Sequence, residues 1–145
     1  MDVEAALEDI RSLLSMYRAR SGKDTVQAPE KATSPESPTT SEIPDVFFDE
    51  ILPHVKLTRY EVMVLMVLYR QVYCRPNLYR SHGIGPLNSY QDLARAMNIT
   101  QEELIHAIRS LEEHAFIQTI RAGQYFVRKF FTELNDLKYG QQYEF

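Results

Sequence analysis

Three helix-start signatures crowd into one stretch of the chain: Thr58-x-x-Glu61, Ser89-x-x-Asp92 and Thr100-x-x-Glu103. Each sets a hydroxyl at the N-cap and a carboxylate at N3, the two side chains that satisfy unpaired N–H groups of a first helical turn. Asp in place of Glu makes the middle signature the weakest. The last two leave only residues 90–99 between them. That is room for one short helix and a tight turn, with Asn98 tolerating the left-handed conformation the turn needs.

The flanking residues fill in the order of elements. Residues 45–52 predict a short helix carrying Val46, Phe47, Phe48, Ile51 and Leu52, stopped by Pro53. A longer helix over 59–73 contains eight consecutive apolar residues, Val62 to Tyr69. Such a helix is buried on several sides, either by its own domain or by a dimer interface. Residues 75–88 form a long loop in which Gly85-Pro86-Leu87 supplies a short first strand. A second helix over 89–97 turns Leu93, Ala94 and Met97 inward. A third follows over 101–114, with Leu104, Ile108 and Leu111 inside, continued by Ala115 and Phe116. Residues 117–120 and 125–131 pair around Ala122-Gly123, and a last short helix over 132–139 places Leu134 and Leu137 inside. The sum is mainly α with a small β-hairpin, the order of a winged helix-turn-helix, whose commonest use is contacting duplex DNA.

Two segments precede this domain, which spans 44–131 and is followed by a short helix and tail over 132–145. Residues 1–20 predict an amphipathic helix, with Val3, Ala6, Ile10, Leu13 and Tyr17 in the 3-4 spacing of a seam. The seam docks on its own domain, self-associates or captures a partner. Residues 21–43 hold Ser, Thr, Pro, Glu and Lys with no aromatic residue, the composition of a flexible, disordered linker.

Charge argues for a local binding patch at most. The net charge is −4, with eight acidic and five basic residues in 1–44 and twelve acidic and eleven basic in 45–145. A protein that neutralises phosphates usually carries a basic surplus or a basic face. On the third helix, Gln101, Ile105, His106 and Arg109 share the outward face with Glu102 and Glu113. Gln and Arg suit adenine and guanine edges in a major groove. Arg121, Gln124, Arg128 and Lys129 flank the hairpin turn and are the candidates for phosphate contacts, with strand alternation sending Arg128 and Lys129 to opposite faces. The acidic residues of the third helix, the 1–20 helix and the apolar tail Tyr143-Glu144-Phe145 suit the other reading, a winged helix that binds a protein with weak or no DNA binding.

Catalytic chemistry is not expected. A lone Cys74, four scattered histidines and Gly83-Ile84-Gly85 without a third glycine form no nucleophile, metal or cofactor motif. The amino terminus shows no secretory pattern, and the apolar run at 62–69 is too short for a bilayer, so a cytoplasmic protein with no membrane partner is expected.

Residues 43–117 resemble the amino-terminal winged-helix domain of phage and plasmid replication proteins. The resemblance rests on Ile43-Pro44-Asp45-Val46-Phe47-Phe48-Asp49-Glu50-Ile51-Leu52-Pro53 and on Leu57-Thr58-Arg59-Tyr60-Glu61-Val62. It continues in Tyr69-Arg70-Gln71-Val72-Tyr73, Leu87-Asn88-Ser89-Tyr90-Gln91-Asp92-Leu93-Ala94 and Ser110-Leu111-Glu112-Glu113-His114-Ala115-Phe116-Ile117. It implies DNA binding in replication or transcription control, and a dimer is expected. The family usually has Ser, Arg and Thr where this chain has Gln101, Glu102 and Glu103, and a Gly where it has Ala115.

Overall fold

The computed structural model describes residues 38–145, together with residues 7 and 9–12. The chain divides into two units, Met1–Thr40 and Ser41–Phe145. In the first, Leu7 and residues 9–12 are helical and exposed. Of the expected seam only Ile10 is therefore described, and it is 52% exposed. Val3, Ala6, Leu13, Tyr17 and most of the linker lie outside the described residues.

The second unit is mainly helical with a two-stranded antiparallel sheet. A π-helical turn, Phe47–Ile51, runs into one α-helical turn, Leu52–His54; together they are α1. Then come α2 (Arg59–Tyr73), a 3-10 turn (Arg80–His82), α3 (Tyr90–Met97) and α4 (Gln101–Glu113). Strands β1 (Ile117–Arg121) and β2 (Gln124–Val127) precede the final helix α5 (Glu133–Lys138).

Capping accounts for the helix starts. Thr58 and Thr100 form reciprocal capping boxes with Glu61 and Glu103, while the Ser89 hydroxyl accepts the Asp92 N–H at 3.0 Å. Thr132 caps α5 in the same way, accepting from the Asn135 N–H. Pro53 does not stop α1. The Leu52 N–H already bonds the Phe47 carbonyl across the π turn, so the donor that proline lacks falls in a new first turn, where none is needed.

Helix α2 is the axis of the core and packs against α4 and β2. Of its eight consecutive apolar residues, Val64, Leu65, Leu68 and Tyr69 are buried within a single copy, and Val62, Met63, Met66 and Val67 are half-buried against the same core. Val64, Leu65, Leu68 and Val72 meet Leu104, Ile108 and Leu111 of α4 and Val127 of β2 in one buried cluster. Tyr69 stacks on Phe131 at 5.1 Å, and Phe131 meets Phe47 at 5.2 Å. Burial pushes the Tyr69 and Tyr73 hydroxyls well above the usual tyrosine range. They act as donors, to the carbonyls of Lys129 and Val127, and tie the end of β2 to α2.

The hairpin is shorter than the pattern suggests. β2 ends at Val127, and Phe131 enters the left-handed region at φ +74 so that its ring turns into the core. That conformation costs about 1–2 kcal/mol, comparable to the gain from burying a side chain of this size. The third line of pairing is a single bridge between Ile84 and Phe126, rather than a strand at Gly85-Pro86-Leu87. Gly83 accepts from the Val127 N–H and the Gly85 N–H donates to Tyr125. The next donor toward the hairpin is the Asn88 N–H, which bonds the Gly123 carbonyl out of the regular alternation. At the turn, Gly123 has φ +86, and a Cβ there would lie 1.9 Å from the Asn88 carbonyl oxygen.

Two further expectations are overturned. Ala115 is exposed at φ +61, not part of the packing face, because it occupies the left-handed position that ends α4. Helix α5 is turned about: Leu134 and Leu137 are 78% and 73% exposed, while Asn135 and Asp136 are buried. Asp136 fixes this orientation by accepting from the Arg128 guanidinium, the Phe130 N–H and the Tyr143 hydroxyl. Tyr143 also accepts from the Lys129 N–H and packs edge-on against Phe126. The carboxyl-terminal tail is thereby docked on the domain, with Phe145 exposed beyond it.

Candidate nucleic-acid interface

The residues singled out for DNA contact lie on α4, at the hairpin turn and just past β2, and α4 is joined to β1 by a side-chain bond. Asn98, at φ 55, ends α3, and Thr100 caps α4 two residues later, so the chain reverses between the helices within Asn98-Ile99-Thr100. With Leu104, Ala107, Ile108 and Leu111 buried, helical spacing directs Gln101, His106 and Arg109 to solvent, and Ile105 is half-buried beside them. The Thr119 hydroxyl on β1 donates to Glu112 at 3.0 Å, tying the hairpin to the carboxyl-terminal half of α4.

This bond and the capping box engage two of the acids on α4 without neutralising them. Glu103 accepts the Thr100 N–H at 2.9 Å, and this backbone bond, followed by the Tyr60 hydroxyl, holds its carboxyl below the usual carboxylate range. Glu112 is occupied by Thr119. Glu102 and Glu113 are the acids left on the outward face beside Arg109.

On the hairpin the four candidates separate. Arg121 is exposed, and its Nε donates to the Gln124 carboxamide oxygen at 3.0 Å. Gln124 spends its amide N–H on the Gly85 carbonyl, so it braces the turn against the preceding loop. Arg128 is not on a strand face at all. It lies 3.2 Å from Asp136 and 5.4 Å from the Phe126 ring centroid, an ion pair whose carboxylate is buried. A guanidinium so placed is structural. Lys129 follows it outside β2, half-buried, with its ammonium 5.8 Å from the Phe130 ring. The expected alternation of Arg128 and Lys129 across two strand faces therefore does not occur.

Beside the amino-terminal end of α4 runs a groove of about 490 Å³, lined by Arg59 and Tyr60 of α2 and by Glu102, His106 and Ala107 of α4. Tyr60 is 40% exposed there, and the neighbouring Glu103 carboxylate raises its hydroxyl's pKa above the ordinary tyrosine value. Sequence reasoning passed over Tyr60, which stands next to a capping residue and shows no motif of its own. The groove exists only because two capped helix starts meet in space.

Among the described residues no helix is long and apolar enough to cross a membrane, and no cluster of three His, Cys, Asp or Glu side chains could hold a metal ion. In comparisons with known proteins, no family model, curated protein or solved structure matches the chain.

Proposed function

We propose that the Ser41–Phe145 unit is a winged helix-turn-helix module of the kind that opens phage and plasmid replication proteins, and that it binds duplex DNA as a dimer in replication or transcription control. The observation that carries this reading is the three-residue reversal at Asn98-Ile99-Thr100, which leaves Gln101, His106 and Arg109 on the solvent face of α4. In this reading α4 enters the major groove, Arg109 pairs with a guanine edge and Gln101 with an adenine edge. Arg121 at the hairpin tip and Lys129 contact backbone, while Arg128 and Gln124 hold the hairpin in shape. The role is binding, not catalysis, and the compartment is the cytoplasm.

The experiment is fluorescence anisotropy of the full chain with random duplex DNA at low and then moderate salt. Binding that falls steeply with salt, and is lost in Arg109→Ala plus Arg121→Ala, is expected. Unchanged binding by that double variant removes the site assignment.

A second reading, a protein-interaction module, is favoured by one observation: Glu102 and Glu113 remain on the outward face of α4 after Glu103 and Glu112 are occupied. The partner would then offer a basic surface. Reversing both charges abolishes its capture if this reading holds, and leaves capture intact if it does not.

A further inference from the structure

The polarity of α5 is reversed relative to an ordinary surface helix, and the reversal is enforced. Rotating α5 to bury Leu134 and Leu137 would strip Asp136 of the Arg128 guanidinium, the Phe130 N–H and the Tyr143 hydroxyl at 3.2, 3.1 and 2.7 Å. A single copy thus keeps both leucines in water. Leu134 and Leu137 are three apart, and Glu133 and Lys138 stand four residues from Leu137 and Leu134, so the four form one face opposite the buried Asn135 and Asp136. Tyr139, 48% exposed and 4.9 Å from the Phe130 ring centroid, extends the apolar area.

We propose that this face is a homodimer interface whose occupant is the same face of a second copy of the chain. The face is self-complementary in charge. Glu133 and Lys138 stand at diagonally opposite corners, and neither forms an ion pair with a described residue of its own copy. A two-fold axis in the plane of contact, passing through its centre and perpendicular to that diagonal, sets each Glu133 against Lys138 of the other copy. Four leucines meet between the two charge pairs. Such isologous pairing requires that one patch match itself, and opposite charges at opposite corners meet that requirement. A contact this small gives a weak, reversible dimer. It supplies a surface for the dimer of the preceding reading and is tested without DNA, so each can fail separately.

The test is sedimentation equilibrium of the full chain over a wide concentration range at low salt. The wild-type chain shows a monomer–dimer equilibrium, and Leu134→Asp with Leu137→Asp is monomeric with an unchanged circular dichroism spectrum. Glu133→Lys alone and Lys138→Glu alone each weaken dimerisation at least about tenfold, because every reversal acts twice across the two-fold axis. The double exchange, Glu133→Lys with Lys138→Glu, restores it. The proposal is overturned by a wild-type chain that stays monomeric, by a leucine variant that still dimerises, or by a double exchange no better than the single reversals. A dimer abolished by deleting residues 1–20 also overturns it.

Discussion

Asp136 receives the Arg128 guanidinium at 3.2 Å across eight residues of chain, and the same carboxylate accepts from the Phe130 N–H and the Tyr143 hydroxyl. This one acid removes a basic residue from the hairpin surface, turns α5 polar side inward and holds the carboxyl-terminal tail. Its side chain is 5% exposed. Three donors meeting one buried carboxylate repay much of the cost of taking the charge out of water.

Asp136→Ala leaves those donors without their acceptor, the case in which a broken buried pair costs about 3–5 kcal/mol. Urea denaturation should show a loss of that order, with the tail released. Asp136→Asn keeps one acceptor oxygen of the two, so its NH2 faces either the Phe130 N–H or the Arg128 and Tyr143 donors, and it should fall between. A loss below about 1 kcal/mol for Asp136→Ala, the size of an ordinary surface change, shows that the cluster contributes little.

Arg109 and Arg128 should separate in DNA binding. If α4 reads the groove, Arg109→Ala weakens site-specific binding by about 1–3 kcal/mol and relaxes base preference. Arg128→Ala instead lowers the melting temperature and leaves the slope of log affinity against log salt unchanged, since an arginine paired with Asp136 releases no counterion. A reduced salt slope for Arg128→Ala places that residue on phosphate after all.

Ala115→Gly should stabilise the domain. Ala115 caps α4 at φ +61, with its N–H bonded to the Glu112 carbonyl and the next N–H to Leu111. Left-handed backbone costs a residue with a Cβ about 1–2 kcal/mol, and the extra freedom of glycine in the unfolded chain returns roughly 0.5–1 kcal/mol of that. A gain of about 0.5–1 kcal/mol in denaturant unfolding is expected. A loss would show that the Ala115 methyl makes a contact worth more than the strain.

The Thr100–Glu103 box predicts a pH dependence. The folded state holds the Glu103 carboxyl below its usual range, chiefly through the Thr100 N–H. A group lowered on folding adds stability in full above its unfolded pKa, and the contribution fades as pH falls through the folded value. Glu103→Gln should therefore narrow the difference in stability between neutral pH and about pH 3, the acid side of an ordinary glutamate. An unchanged acid limb in thermal melts taken across that range indicates that the box carries no pH-linked stability.

Helix starts were legible in the residues because capping is local: Thr58, Ser89 and Thr100 meet partners three positions away. The inward faces of α3 and α4 followed from helical periodicity, with Ala107 an additional buried position. Leucine spacing in 132–139 carried no such information. The phase of α5 is set by Asp136 reaching back to Arg128 and forward to Tyr143, contacts that outweigh the burial of two leucines. The Thr132 cap was the local signal for where α5 starts, but it says nothing of which side faces in.

The same division runs through the candidate interface. Sequence alone determined which residues α4 turns to solvent, since that depends on a period and a start point. It also determined the reversal at Asn98, whose side chain tolerates left-handed backbone. Only the tertiary structure decided which polar and charged side chains remain available. Glu112 is occupied by Thr119, Arg128 by Asp136 and Gln124 by Gly85, and each pairing depends on where the chain returns after a turn. Local rules choose the conformation of a segment. The electrostatics of a surface are settled by partners distant in sequence, because charge pairing falls off with distance in space and is blind to distance along the chain.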